Sequence, residues 1–159
     1  MKLLPCSALV LIASSCQGPR GGDLAIEPFP EHQREVESAI RDLLAAASRK
    51  DFERLEAMHL YGPKFSKWDG RKRERSDAEA TRREERAGIE PLDAFRPHVE
   101  DLKIDVFGET AVATFVMPFE VVAGGQTAQR VTQATLVWLK TPSGWKVVHE
   151  HFTPMPASP

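Results

Sequence analysis

The sequence predicts an α+β domain in which helices come first and a curved antiparallel sheet comes last. Two observations carry this. Apolar residues recur at helical spacing between residues 31 and 58, and from Glu100 onward the period changes to two. Three short turn sequences, Phe107-Gly108-Glu109-Thr110, Ala123-Gly124-Gly125-Gln126 and Thr141-Pro142-Ser143-Gly144, then divide the second half into four strands. A length of 159 residues suits one domain, and 42% hydrophobic with 28% charged residues supports a packed core rather than a disordered chain. The net charge of -2 argues against the basic surface that nucleic acid requires, so no nucleic-acid partner is expected. Two cysteines exclude a disulfide framework and a Cys-based zinc site.

The chain begins with an address. Lys2 supplies a positive charge and Leu3 to Ala13 is almost wholly apolar, too short to cross a bilayer as a helix, which takes about 20 residues. Residues 1–15 read as a signal peptide. Ala13-Ser14-Ser15-Cys16 resembles the bacterial lipobox, which implies that Cys16 is lipidated and that the protein is anchored to a membrane in the cell envelope. Plain secretion with a free thiol is the alternative. Residues 16–30, with three Gly and three Pro from Gln17 to Pro30, read as a tether. The folded domain is placed at 31–154, with a tail at 155–159.

Within the domain, Val36, Ile40, Leu43, Leu44 and Ala47 form one apolar stripe of a helix over 31–48. Asp51 is positioned to cap a short second helix that buries Phe52, Leu55 and Met58, ended by Gly62-Pro63. Phe65 to Asp69 is a short extended piece. Residues 71–86 mix basic and acidic side chains with no apolar stripe, so a solvated helix or a mobile flap is expected. Ser76 and Glu79 have capping-box spacing, and Glu79-Arg83 is a favourable i,i+4 pair. Ile89 to Phe95 suggests a short helix or turn. The strands then follow as a meander, and strands of this length twist and curl.

Tight turns set the registers. Phe107 faces Thr110, Val122 faces Thr127 and Lys140 faces Trp145, and alternation sorts every strand residue onto one of two faces. One face collects Phe115, Met117 and Phe119 with Ala134, Leu136, Trp138, Trp145 and Val147. Uninterrupted alternation also puts Arg130, Thr132, His149 and His151 on it, with His149 opposite Leu136 and His151 opposite Ala134. Polar groups on a core face imply a wet cavity or satisfied hydrogen bonds. The other face holds Val112, Val116, Val131, Val137 and Glu150, a mixture suited to a sheet surface that pairs with a second copy.

This order of elements resembles the NTF2-like fold. Arg130-Val131-Thr132 with Gly144 to Phe152, and Phe65 to Gly70, resemble the closing hairpin and first strand of SnoaL-like domains. The resemblance implies a cone: helices packed on a curved antiparallel sheet that ends in a four-strand meander, with a pocket at the open end. It implies a small-molecule ligand of unknown identity and a homodimer, and leaves open whether the domain catalyses, since isomerases, dehydratases, ligand binders and dimerisation modules share this fold.

Trp68, Phe115, Met117, Arg130, Thr132, His149 and His151 are the expected ligand-binding residues. His149, His151 and Asp69 are the candidate acid–base groups. Asp69 lies near the position where isomerases of the resembling family carry a base, and Tyr61 is the only tyrosine. No acidic residue is expected on the inner strand face. His149-x-His151 has metal-ligand spacing that His59 or Asp69 would complete, but no further ligand motif is present, so neither metal nor cofactor is expected. Three functions remain: a lipid-anchored, extracytoplasmic binding module; an enzyme of proton-transfer or hydrolytic chemistry; and an interaction module that dimerises without a ligand.

Overall fold

The computed structural model describes residues 23–156. The signal segment, Cys16 and the last three residues lie outside the described residues.

Helix α1 (Pro30–Arg49) begins at a proline, whose missing N–H is no loss in a first turn. It ends where Lys50 turns left-handed (φ 57°) and returns its N–H to the carbonyls of Ala46 and Ala47. The predicted stripe is the buried one, with Val36 and Ile40 at its centre. Asp51 caps α2 (Phe52–Ala57) as expected, accepting from the Arg54 N–H at 3.0 Å. Strand β1 (Ser66–Asp69) follows, then α3 (Ala78–Ile89), β2 (Ala94–Pro97), β3 (Glu100–Phe107), β4 (Thr110–Ala123), β5 (Gln126–Thr141) and β6 (Gly144–Pro154).

The strands form one sheet in the order β1-β6-β5-β4-β2. Strand β4 is long enough that β3 also pairs with it, β3 alongside Thr110–Val116 and β2 alongside Phe119–Val122. The meander β3-β4-β5-β6 is the predicted one. Strand β1 adds in parallel to β6, so the sheet is mixed rather than purely antiparallel. A strand also replaces the helix or turn expected near Phe95, because the far half of β4 offers it a free edge. Pro97 is tolerated there, since an edge strand leaves one side unpaired. Helix α1 lies across the concave face over Ala111, Ala113, Phe115, Leu136, Trp138 and Val147, which make a continuous apolar core.

All three turn registers are those predicted: Phe107↔Thr110, Val122↔Thr127 and Lys140↔Trp145. The departure comes in the middle of β6. Trp138 pairs with Val147 but Val137 pairs with His149, so Val148 is an extra residue, a β-bulge. The bulge sits where the chain leaving α2 bonds to the other edge of β6: the Val147 N–H donates to the Met58 carbonyl at 2.9 Å, and the Leu60 N–H to the Val147 carbonyl at 2.8 Å. Beyond it every side chain of β6 changes face. His149 stands opposite Val137 and His151 opposite Thr135, both on the outer face, while Glu150 and Phe152 turn inward opposite Leu136 and Ala134.

Candidate functional site

The bulge undoes the expected cavity. His149 is half-buried on the outer face, where its Nδ1 lies 2.9 Å from the Ser66 hydroxyl. His151 is exposed beside Trp68, its partner across β1 and β6. The H-x-H pair is thus separated by the sheet from His59. Arg130 keeps its inward register opposite Phe119 but is not enclosed, near the start of β5. Its guanidinium is exposed and donates to the Gln129 carbonyl at 2.9 Å. Phe115, Met117 and Thr132 do face inward and are buried, as members of the packed interior. Asp69 is locked by Arg71, which donates to it from both backbone N–H (3.0 Å) and Nε (2.9 Å). These bonds outweigh partial burial and hold its carboxyl down at about 2, far too weak a base for proton abstraction near neutrality.

A different set of polar side chains converges where β1 and β6 meet α2 and α3. Glu150, expected on the outer face, is 2% exposed and places an acidic group on the inner strand face, where none is expected from alternation. Its Oε1 lies 3.1 Å from His59 Nε2, and its Oε2 lies 2.8 Å from Lys67 Nζ. Lys67 reaches it because parallel pairing sets Lys67 directly beside Glu150. The same ammonium donates to Glu85 Oε1 of α3 at 2.9 Å, and the Tyr61 hydroxyl donates to Glu85 Oε2 at 3.2 Å. The His59 and Tyr61 rings stack at 4.7 Å, with Phe65 edge-on to both. Gly70 lets the chain pass β6 closely: a Cβ there would lie 3.3 Å from the Phe152 carbonyl.

Both nitrogens of His59 face acceptors. Nδ1 is 2.8 Å from the Leu55 carbonyl, which can only accept, so Nδ1 carries a hydrogen. Nε2 faces the Glu150 carboxylate, and one more proton lies between the two. Burial disfavours the charged ring, but the hydrogen bond and charge of Glu150 prevail and raise His59 above its ordinary value. Burial likewise opposes ionisation of Glu150, and Lys67 and His59 overcome it, holding the carboxyl well below the usual carboxylate range. Lys67 is raised by the two carboxylates against the effect of its burial. Glu85 goes the other way: burial, then the charge of Glu150, raise it. Donor atoms of His59, Glu85 and Glu150 lie within 4.8 Å of one another, the spread of a three-ligand cation site. The cation between the two carboxylates is Lys67 itself.

Helix α3 covers this cluster: its outer side is exposed, as a solvated helix would be, while Glu85 and Thr81 turn toward the cluster. Its cap is one residue later than the capping box predicts. The Asp77 carboxylate accepts from the Ala80 N–H at 2.8 Å, while Ser76 is drawn away to donate to Glu84 Oε2 at 3.1 Å. The Glu79–Arg83 pair forms as predicted. Sequence reasoning passed over Lys67, Glu85 and Glu150. The available signal was Phe152: unbroken alternation would put this aromatic outside and two histidines inside, a pattern that a bulge reverses.

The fold and the polar interior define an NTF2-like cone. The chain belongs to the family of SnoaL-like domains, whose family model matches residues 36–158. Solved structures share the fold. A candidate dehydratase of the NTF2-like family from Streptomyces avermitilis superposes with a TM-score of 0.73 at 21% identity, over 80% of this chain and 98% of that one. An NTF2-like superfamily protein from Salmonella enterica gives 0.72 at 20% identity, over 81% and 94%. A candidate scytalone dehydratase from Novosphingobium aromaticivorans gives 0.69 at 12% identity, over 79% and 85%. No curated protein matches this sequence.

Proposed function

We propose that this SnoaL-like domain is a binding module for a small molecule, anchored outside the bacterial cytoplasm through lipid on Cys16. Its ligand site is the cone end built by His59, Tyr61, Lys67, Glu85 and Glu150. The observation that carries this reading is the burial of four ionisable side chains and a tyrosine around one point. An apolar interior of the same volume is usually at least as stable, and charged groups gathered in low dielectric mark sites that act on ligands. Protein purified from its native host and then denatured releases a bound small molecule detectable by mass spectrometry. Lys67→Met, which removes the central cation, releases none. Full-length protein that is empty under gentle purification, and equally empty when offered a host extract, refutes the reading.

A second reading is favoured by the proton held between His59 and Glu150. A histidine whose hold on its proton is strengthened, beside a carboxylate whose hold is weakened, is an acid–base pair suited to eliminating water or shifting a double bond. Two structural neighbours are described as candidate dehydratases, which agrees with this chemistry. His59→Gln should then abolish turnover of a substrate that still binds.

A further inference from the structure

Between its ends helix α3 is attached by charged and polar side chains. Its apolar contacts with the core are Ala78 in the first turn and Ile89 in the last, it contains no Val, Leu, Phe or Met, and Thr81 is its one fully buried residue. Lys67 and Tyr61 hold Glu85, and Lys72 holds Glu84. Arg82 lies 4.4 Å over the Tyr61 ring, and Arg86 4.2 Å over Phe52. Apart from the buried Lys67–Glu85 pair, these contacts are partly exposed, weak individually and readily exchanged for water or ions.

Glu85 is the member that enters the cone, with a side chain 14% exposed. Its two oxygens occupy the place a ligand carboxylate would take, one on the Lys67 ammonium and one on the Tyr61 hydroxyl. One turn earlier on the same helix face, the Thr81 hydroxyl is buried without a hydrogen-bond partner. A buried hydroxyl left unpaired disfavours the closed position of α3. When α3 lifts away, Glu85 leaves with it. The wall that remains carries Lys67 and the protonated His59 against Glu150 alone, an excess of one positive charge.

We infer that α3 is a plug and that the cone end binds a small carboxylate, which displaces the Glu85 carboxylate from Lys67 and Tyr61 as the helix swings out. This rests on the ligand site proposed above and adds the chemical class of the ligand. A neutral molecule would leave Lys67 with a buried charge only half compensated, and a dianionic phosphate would overcharge the site. Burial and the neighbouring Glu150 charge make Glu85 the less firmly ionised of the two carboxylates, so it is the one that can be exchanged.

The probe is sodium propionate, with propionamide as its uncharged isostere and sodium chloride at equal ionic strength. The readouts are trypsin cleavage after Arg82, Arg83 and Arg86, identified by mass spectrometry, and binding followed by NMR titration. In the wild-type protein propionate accelerates cleavage beyond the effect of chloride, and propionamide does not. In Glu85→Ala the built-in competitor is gone, so α3 is cut faster without any probe. Propionate then binds about tenfold more tightly than to wild type, the effect of losing one charge-assisted pair. Lys67→Met abolishes the response. If propionate and propionamide act alike, the cone-end site stands and the carboxylate class is overturned. If neither probe binds wild type or Glu85→Ala, the plug and the site fall together. The wild-type digestion needs no variant, so misfolding of either substitution does not spare the inference.

Discussion

At the scale of single residues, the His59–Glu150–Lys67 contacts tie stability to pH in a defined direction. His59 is raised above its ordinary 6.5, so its bound proton favours the fold. That contribution is complete below 6.5 and is lost as pH rises through the raised value. Glu150 is lowered from 4.5, so its contribution is present above 4.5 and is lost only as pH falls well below that. Both are in force between 4.5 and 6.5. Glu85, raised from 4.5, adds a loss in the same direction as His59 when pH rises. Urea unfolding across pH 5 to 9 should therefore show stability declining through the upper part of the range, and His59→Gln should flatten that decline. A slope unchanged in His59→Gln would mean that the shared proton does not stabilise the fold. Removing one partner of the buried set should be severe. Glu150→Gln leaves Lys67 and His59 without their common anion and should destabilise by about 3 kcal/mol, read as a lower urea midpoint at constant m-value.

At the scale of elements, two features decide the site, and they were unequally legible. The bulge at Val148 involves no glycine and no positive φ, so nothing local announces it. It becomes necessary only once residues 58–60 and β1 are bonded along the outer edge of β6, a contact across about 90 positions of chain. Helix α3 could be read as a helix from its charge pattern, but its docking could not. Helix packing is ordinarily announced by an apolar stripe, and this helix has only Ala78 and Ile89 at its ends against the core, with Glu85 and Thr81 docking its middle. Its ion pairs are partly exposed and so open to screening. Raising sodium chloride from 0.05 to 1 M should raise amide exchange in residues 78–89 several-fold and leave β4 and β5 protected. Equal protection of α3 at both salt concentrations would mean that apolar contacts hold it after all.

At the scale of the whole molecule, the outer sheet face is the surface left to explain. Val112, Val116, Val131 and Val137 are only half covered there, and the bulge adds His149 and His151 to them, beside Trp68. A second copy laid face to face would bury these valines in a symmetric contact. Sedimentation of the domain across micromolar concentrations should show a dimer, and Val137→Lys at the centre of the face should return it to monomer. The proposed lipid anchor belongs to this scale as well. Cys16→Ser should move the full-length protein from the membrane fraction to the soluble one, and unchanged fractionation would rule out lipidation at that residue.

What the sequence determined by itself was governed by neighbours along the chain. The apolar stripe of α1, the Asp51 cap, the three turns and their registers, and the α+β order all follow from spacing and turn chemistry. These carried the resemblance to SnoaL-like domains. The sorting of Phe115, Met117, Thr132 and Trp138 onto the inner face also followed, because strand alternation holds wherever no bulge intervenes. The identity of the polar site did not. Lys67 meets Glu150 because β1 joins β6 in parallel, Glu150 faces inward because β6 bulges, and Glu85 reaches both because α3 closes over them. Each of these depends on a contact between distant segments, and shifting a strand by a single residue reverses which side chains it presents. Only the tertiary structure could decide that the two histidines lie outside and the glutamate inside.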